Sequence, residues 1–195
     1  MSLKIQKIIK KAGNGDKDSA SELIDIYSHQ VYSYLRRLCG NNEDAEDLTQ
    51  QTFIKVWSSL SGFKGNSAFT TWIYRIAYNI YVDWLRGKKI NLQQDVPWKW
   101  IDNNPSPADL ASDKQMAEHI YKTVNQLDDD KKQVVHLHYY QGLSIRETAK
   151  VLNIATSTVK YRIREALKFI KSEITEKDFN YADKNKFYIE KGDLL

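Results

Sequence analysis

The sequence predicts an all-α protein built from two small helical domains that a flexible acidic linker joins. Three long stretches place apolar residues every three or four positions, as amphipathic helices do, and none shows the alternation of a strand. Between them, residues 90–113 contain all three prolines of the chain and carry four Asp against one Lys. Proline excludes regular helix and the acidic residues keep the backbone solvated, so this segment is predicted to be a linker.

Size and charge fit this organisation and narrow the class of protein. The chain has 195 residues and a formal net charge of +4. This mild positive charge is compatible with a nucleic-acid partner but does not require one. The lone cysteine, Cys39, excludes an internal disulfide and a cysteine-built zinc site, and its apolar surroundings predict a buried structural thiol. Residues 1–11 lack the apolar core of a signal peptide, and no apolar run approaches the ~20 residues of a membrane span, so we expect a cytoplasmic protein.

The first predicted domain, residues 1–89, contains three predicted helices. The first is defined by an apolar series from Leu23 to Leu38 and ends at a polar break after Cys39. The second begins near Glu43 in a run of acidic residues, which favour a helix N-terminus, and continues to Leu60. After a polar loop over residues 61–67, the third runs over residues 68–86. On its helical wheel the predicted buried face consists of Phe69, Trp72, Ile73, Ile76, Ala77, Ile80 and Trp84.

The opposite side of this third helix combines aromatic and basic residues. Thr71, Arg75, Tyr78, Val82 and Arg86 are predicted to lie there, with Asn79 at the edge. Such interleaving beside a loop suits single-stranded DNA, because bases stack on rings while cations follow the backbone. The alternative is that most of the aromatic side chains of this helix are core residues.

The second predicted domain, residues 114–174, contains a helix-turn-helix pattern. Ser144 and Glu147 have the spacing of a capping box, and Asn153 is one of the few residues that tolerate the left-handed conformation at a helix end. Thr156 or Ser157 can cap the helix that follows. A short helix, a tight turn and a second helix form the motif that docks in the major groove of DNA. Residues 175–195 have mixed charge and weak periodicity and are predicted to form a polar tail.

The second helix of this motif is predicted to have a buried stripe and a basic face. The stripe consists of Val159, Ile163, Ala166 and Ile170. Between Thr156 and Lys171 there are five basic residues and one acid, a net +4. A solvated helix face is the simpler interpretation of charge alone, but the capping box and the turn favour a DNA-reading helix.

Two groups of motifs resemble conserved regions of one protein family. The segments Ala45-Glu-Asp-Leu-Thr-Gln-Gln-Thr-Phe-Ile-Lys-Val-Trp57, Phe63-Lys-Gly and Phe69-Thr-Thr-Trp-Ile-Tyr-Arg-Ile-Ala-Tyr-Asn79 are similar to region two of the extracytoplasmic-function (ECF) sigma factors of the sigma-70 family. Leu127-Asp, Gln141-Gly-Leu-Ser-Ile-Arg-Glu-Thr-Ala149 and Thr158-Val-Lys-Tyr-Arg-Ile163 resemble region four. The resemblance covers roughly residues 15–172, in the order of the family.

The resemblance implies a bacterial sigma factor that binds core RNA polymerase and directs promoter-specific transcription initiation. In region two it implies that the acidic-to-aromatic helix contacts the clamp helices of the largest polymerase subunit. The residues implied in this contact are Asp44, Asp47, Leu48, Gln51, Phe53, Ile54 and Trp57.

The following loop and helix would recognise and melt the minus-ten element and capture a flipped base. Residues implied around the base are Phe63, Lys64, Asn66, Ser67 and Asn79, and those near the backbone are Arg75, Arg86, Lys88 and Lys89. Base flipping costs a few kcal/mol of stacking, which a pocket and a positive groove offset.

Region four would read the minus-thirty-five element as duplex and dock on the polymerase flap. The residues implied for DNA contact are Ser157, Thr158, Lys160, Tyr161, Arg162, Arg164 and Lys168. Two positions depart from the family: Tyr161 stands where a small Ser is usual, and Glu165 where an Arg is usual. Glu165 either accepts from a cytosine amino group or removes one phosphate contact, and we favour the second.

Other functions fit the sequence less well. A stand-alone helix-turn-helix regulator, dimeric on a palindrome, would not account for the aromatic-rich first domain. The four histidines lack metal-ligand spacing, and no nucleophile–base motif or phosphate-binding glycine loop is present, so we expect no enzyme, no cofactor and no small-molecule substrate. The resemblance also implies an anti-sigma factor as a partner.

Overall fold

The computed structural model of the chain describes residues 3–88 and 119–173, and every regular element in these two ranges is helical. The all-α prediction is therefore confirmed. The chain divides into two compact units, one N-terminal and one C-terminal. The predicted linker, residues 90–113, and the predicted tail, residues 175–195, lie outside the described residues.

Over residues 3–88, the N-terminal unit has four α-helices. They are α1 (Leu3–Gly13), α2 (Lys17–Cys39), α3 (Asn42–Ser59) and α4 (Phe69–Lys88), and a 3-10 turn over Leu60–Gly62 follows α3. Of these, α1 is not predicted from the sequence, although Ile8, Ile9 and Ala12 form a buried stripe along it.

Local polar contacts set where these helices begin and end. Asp16 caps α2 by accepting a hydrogen bond from the Ser19 N–H at 2.7 Å. Gly40 ends α2 with φ +83°, a left-handed conformation that glycine adopts without a steric penalty. Asn41 then caps α3 by accepting from the Asp44 N–H at 2.8 Å. The polar break that follows Cys39 is thus a tight helix–helix connection.

The core of the N-terminal unit lies where α2 packs against the other three helices. Phe69 at the start of α4 is fully buried, and its ring centroid lies 5.3 Å from that of Tyr27 on α2. Further along, Tyr34 of α2 and Tyr74 of α4 make an edge-on contact, also at 5.3 Å. Aromatic pairs in this geometry add to the stability that burial of their area provides.

The buried face of α4 differs from the prediction. Phe69, Ile73 and Ala77 are buried as expected, whereas Thr71, expected on the outer side, is also buried. Tyr74 and Tyr81 complete the buried set, and the predicted core residues Trp72, Ile76, Ile80 and Trp84 are only half-buried. The physical reason is that α4 packs against both α2 and α3, so its buried surface is broader and rotated relative to the wheel.

The C-terminal unit consists of short helices followed by one long helix. Residues 119–125 are helical (α5), and α6 (Asp129–Val135) continues as one π-helical turn over His136–Tyr140. The helix-turn-helix is formed by α7 (Ile145–Leu152) and α8 (Thr156–Glu173). A core joins α5 to α6 and α8 through Ile120, Val124, Leu127, Val135, Ala166 and Ile170.

The predicted capping box at the start of α7 is confirmed. The Ser144 hydroxyl accepts from the Glu147 N–H, and the Ser144 N–H donates to the Glu147 carboxylate at 2.9 Å. Asn153 ends the helix with φ +54°, the left-handed conformation that was expected. Because α8 already begins at Thr156, Ala155 occupies the cap position one residue before the predicted caps.

Candidate nucleic-acid and polymerase interfaces

One side of α8 is buried and the other carries the predicted DNA-reading residues. The buried stripe of Val159, Ile163, Ala166 and Ile170 is confirmed, and Leu167 extends it. Thr158 is half-buried beside it. The exposed residues on the opposite side are Ser157, Lys160, Tyr161, Arg164 and Lys168.

Arg162, which is predicted to contact DNA, forms an ion pair within the C-terminal unit. Its guanidinium pairs with the Asp130 carboxylate on α6, and only 19% of the side chain is exposed. Arg162 is therefore less exposed than the other cations of α8 that are predicted to contact DNA, and its DNA contact stays a prediction. The role of Arg162 in this structure is to hold α8 against α6.

Glu165 lies on the flank of α8 that faces α6. Its Oε1 atom is 3.9 Å from Nε of Arg164, and its side chain is about one-third exposed. The pKa of Lys131 on α6 is raised, chiefly by its hydrogen bond with Asp128 and to a smaller extent by the nearby Tyr161 and Glu165. That Glu165 removes a phosphate contact rather than reading a base stays a prediction.

The predicted polymerase-contact helix, α3, presents an exposed row and a buried row. Asp47 and Gln51 are exposed, Ile54 is 63% exposed and Trp57 is 42% exposed. Asp44 is half-buried, in the first turn that Asn41 caps. Exposed apolar side chains of this size next to polar ones are typical of a protein-binding surface.

Two members of the predicted polymerase set belong to the core. Leu48 is 1% exposed and contributes no surface to a partner, so its role is to pack α3 against the rest of the unit. Phe53 is also buried, although it lines an open groove of about 300 Å³ between α2 and α3 together with Ile24 and Trp57. The sequence could not separate these residues from their exposed neighbours, because both rows of the helix contain apolar side chains.

A second groove, of about 530 Å³, runs between α3 and α4. It brings Gln51 and Ile54, predicted polymerase contacts, together with Asn79, predicted to lie around the flipped base. Asn79 follows Phe69 by ten residues, about 15 Å along α4. The structure thus places Asn79 beside the α3 surface and not in the pocket that contains Phe63.

The loop between α3 and α4 forms a different pocket. Phe63 is half-buried, and its ring centroid lies 5.1 Å from that of Trp72 and 5.3 Å from that of Phe69. Phe63 and Lys64 line a cavity of about 340 Å³ together with Lys10 of α1. This contribution of α1 is not predicted from the sequence. Asn66 is exposed and Ser67 is half-buried nearby in the loop.

Of the four basic residues predicted near the DNA backbone, the structure describes the side chains of Arg75 and Arg86. Arg75 and Arg86 are exposed on α4, and Arg86 pairs with Asp83 at 3.3 Å. The helix α4 ends at Lys88, and Lys89 lies outside the described residues.

Residues 3–88 and 119–173 contain neither a metal-binding cluster nor a membrane-spanning helix. These residues contain no group of three or more His, Cys, Asp or Glu side chains that could hold a metal ion. The helices in the same ranges include none that is long and apolar enough to cross a membrane.

Two family models match the chain, one in each unit. The model of Sigma-70 region 2 matches residues 23–90, which include α2, α3, the loop and α4. The model of Sigma-70 region 4 matches residues 117–170, which include the helix-turn-helix.

Similar proteins extend this match over most of the chain. The ECF RNA polymerase sigma factor SigW of Bacillus subtilis is 33% identical over 86% of this chain and 97% of its own length. The ECF RNA polymerase sigma-E factor of Escherichia coli is 28% identical over 87% of this chain and 93% of its own length.

Among solved structures, CnrH in complex with the cytosolic domain of CnrY has a TM-score of 0.64 at 22% identity, over 85% of this chain and 93% of CnrH. The sigma factor RpoE of Bartonella quintana, in complex with the anti-sigma factor NepR, has a TM-score of 0.60 at 21% identity, over 78% and 94%. At these identities the likeness shows the fold. Together with the two matched regions and the likeness to SigW, it shows that this chain belongs to the ECF family of RNA polymerase sigma factors.

Proposed function

We propose that the chain binds core RNA polymerase through α3, holds the opened minus-ten strand against the loop and α4, and reads the minus-thirty-five duplex with α8. The observation that carries this proposal is the presence of two separate surfaces of different character. One is an exposed apolar and acidic row on α3, and the other is an exposed basic face on the second helix of a helix-turn-helix.

The polymerase contact is assigned to the exposed members of the α3 row. Ile54 and Trp57 supply apolar area, and Asp47 and Gln51 supply polar groups on the same side of the helix. Exposed aromatic and aliphatic anchors with a polar surround are typical of protein interfaces. The groove that contains Asn79 adjoins this row, so we assign Asn79 to the boundary between the polymerase and DNA contacts.

The minus-ten contact is assigned to the loop pocket. Phe63 offers a ring that is only half-buried, and Lys64 and Lys10 add positive charge to the same cavity. A flipped base needs an aromatic or apolar wall, and its phosphate needs a cation, so this combination suits a nucleotide extruded from the duplex. Arg75 and Arg86 extend positive charge along the exposed side of α4.

The minus-thirty-five contact is assigned to the exposed face of α8. Lys160, Arg164 and Lys168 supply charge for phosphates, and Ser157 and Tyr161 lie nearer the N-terminal end that enters the major groove. We assign docking on the polymerase flap to this C-terminal unit as well.

We further propose that the chain acts in the cytoplasm by binding rather than by catalysis, and that an anti-sigma factor regulates it. CnrH and the Bartonella RpoE were each solved with a protein partner, and the partner of the latter is described as an anti-sigma factor. The predicted linker would tether the two units, which raises the effective concentration of the second contact once the first has formed.

Transcription from a defined promoter tests this proposal. The purified chain is mixed with core polymerase and a DNA fragment that carries a promoter selected with this chain, and transcript start sites are mapped. Initiation at one site that requires the chain supports the proposal. Tight binding to a palindromic duplex in the absence of polymerase, with no initiation, would support a stand-alone helix-turn-helix regulator instead.

A further inference from the structure

The exposed face of α8 carries an aromatic ring and a guanidinium that lie against each other. The Cζ atom of Arg164 is 5.7 Å from the centroid of the Tyr161 ring, within the range of a cation–π contact. Both side chains are largely exposed, at 54% for Tyr161 and 62% for the Arg164 side chain. This pair is therefore on the surface that α8 offers to DNA.

A second contact restricts the same guanidinium. Nε of Arg164 is 3.9 Å from Oε1 of Glu165. The ring of Tyr161 and the carboxylate of Glu165 thus limit the orientation of the planar guanidinium fork of Arg164. The terminal Nη groups of Arg164 donate no hydrogen bond within the described part of the chain.

Arg164 is the arginine of α8 that remains available for DNA. The other arginine of this helix, Arg162, is paired with Asp130 on α6. The exposed lysines of this helix, Lys160, Lys168 and Lys171, carry point charges and lack the planar fork of a guanidinium. Bidentate recognition of a base edge by this helix therefore depends on Arg164.

The position of the pair suits contact with a base. Arg164 follows Tyr161 by three residues, about 4.5 Å along the helix axis. Side chains on a helix lean toward its N-terminus, so a guanidinium above Tyr161 is directed toward the part of a recognition helix that meets base edges. Guanine presents O6 and N7 in the major groove, which match the two parallel donors of an arginine fork.

We propose that Tyr161 is a positioning residue that holds the Arg164 guanidinium for bidentate recognition of a guanine in the upstream duplex element. This inference rests on the proposed function, in which α8 enters the major groove of the minus-thirty-five element. A phosphate contact depends mainly on charge, whereas bidentate recognition depends on the orientation of the fork. Restricting the fork before binding lowers the entropy that is lost when the base is bound.

Selection from a promoter pool by the reconstituted holoenzyme tests the inference. The pool keeps one minus-ten element and randomises the upstream duplex, and the full chain is compared with Tyr161→Ala, Tyr161→Phe, Arg164→Ala and the Tyr161→Ala/Arg164→Ala double variant. Lys168→Ala is the matched control for loss of a cation from the same face. Circular dichroism of each variant checks that α8 remains folded.

The unmodified chain is expected to prefer guanine at one upstream base pair by at least about 5-fold, the lower end for a bidentate contact. Tyr161→Ala is expected to lower that preference by about 2–5-fold without changing other positions, and Tyr161→Phe to keep it, because the ring face is retained. The double variant is expected to equal Arg164→Ala, since the ring acts only through the guanidinium. Lys168→Ala is expected to weaken all sequences alike.

The following results would overturn the inference while leaving the proposed function intact. These are an equal loss on every sequence for Arg164→Ala, multiplicative effects in the double variant, and a Tyr161→Phe variant as impaired as Tyr161→Ala. Selection without any upstream guanine preference would overturn it too. If the unmodified chain supports no initiation at all, the proposed function itself fails and the inference fails with it.

Discussion

Asp130 on α6 and Arg162 on α8 form an ion pair that holds the candidate recognition helix against the helix before it. The pair joins residues 32 positions apart, so it fixes the tertiary arrangement of the unit rather than a local turn. It also leaves Arg162 less exposed than the cations on the opposite side of α8.

The first prediction concerns this pair. Asp130→Asn and Arg162→Ala should each lower the free energy of unfolding of the C-terminal unit by about 0.5–1 kcal/mol, because the Asp130 side chain is 63% exposed and solvent screens the pair. Arg162→Ala should leave the salt dependence of DNA binding unchanged, whereas Lys168→Ala should reduce its slope by about one. Titrations of promoter duplex at several salt concentrations measure the salt slope of both variants. If Arg162→Ala reduces the salt slope as much as Lys168→Ala does, then Arg162 contacts a phosphate.

The second prediction separates the exposed and buried rows of α3. Ile54→Ala should weaken binding to core polymerase by about tenfold, equivalent to about 1.4 kcal/mol, and leave unfolding unchanged. Leu48→Ala should instead lower the free energy of unfolding by about 2–5 kcal/mol, because it leaves a cavity in the core. Fluorescence titration with core polymerase and denaturant unfolding measure the two effects.

The control for this prediction is Ile26→Ala, which truncates an exposed isoleucine on α2. It should change neither property. If Ile26→Ala weakens polymerase binding as much as Ile54→Ala does, the contact surface is not centred on α3.

The third prediction concerns alkaline pH. Burial raises the pKa of the Cys39 thiol from 9.0 to about 11 and also raises the pKa of Tyr34 and of Tyr74. A raised pKa means that the folded state keeps a proton that the unfolded chain releases. The stabilisation that these three groups contribute to the folded state is fully present below pH 9 and is lost as pH rises toward 11 and beyond.

The denaturation midpoint of the N-terminal unit should therefore stay constant from pH 7 to 8.5 and fall at higher pH. For Cys39 alone the loss is about 1–3 kcal/mol, and Cys39→Ala should remove that part and leave the part from the tyrosines. Tryptophan fluorescence follows this unit, because Trp57, Trp72 and Trp84 lie in it. A midpoint that holds constant through pH 11 would contradict the assigned burial.

The fourth prediction concerns the ends of α7. Ser144→Ala should destabilise this helix by about 1 kcal/mol, because it removes the side-chain cap. Asn153→Gly should be neutral or slightly stabilising, whereas Asn153→Ala should cost up to about 1 kcal/mol at the positive φ. Amide hydrogen exchange in α7 measures these effects. Asn153→Gly costing more than Asn153→Ala would show that Asn153 contributes a side-chain contact.

The helix-turn-helix could be predicted from the sequence because its signals are local. Ser144 and Glu147 lie three residues apart, and Asn153 follows directly on the helix that they begin. The buried stripe of α8 is equally local, since it follows from the 3.6-residue period. These features need no knowledge of distant contacts.

The parts that could not be predicted depend on which helices pack together. Thr71 is buried because α4 has two neighbours, and the Arg162 side chain is only 19% exposed because it pairs with Asp130 on α6. The division of α3 into a core residue, Leu48, and an exposed one, Ile54, likewise follows from packing. An apolar pattern alone does not reveal which side of a helix a partner protein will use.

Strand opening at the minus-ten element is the most direct test of the claim that one unit holds opened DNA while the other reads duplex. Permanganate reactivity of thymines in that element is measured with the chain, with core polymerase, and with both. We predict reactive thymines only when both are present, and fewer of them when Phe63 is replaced by Ala. Tight duplex binding by the chain alone, with unreactive thymines in all three samples, would contradict the account.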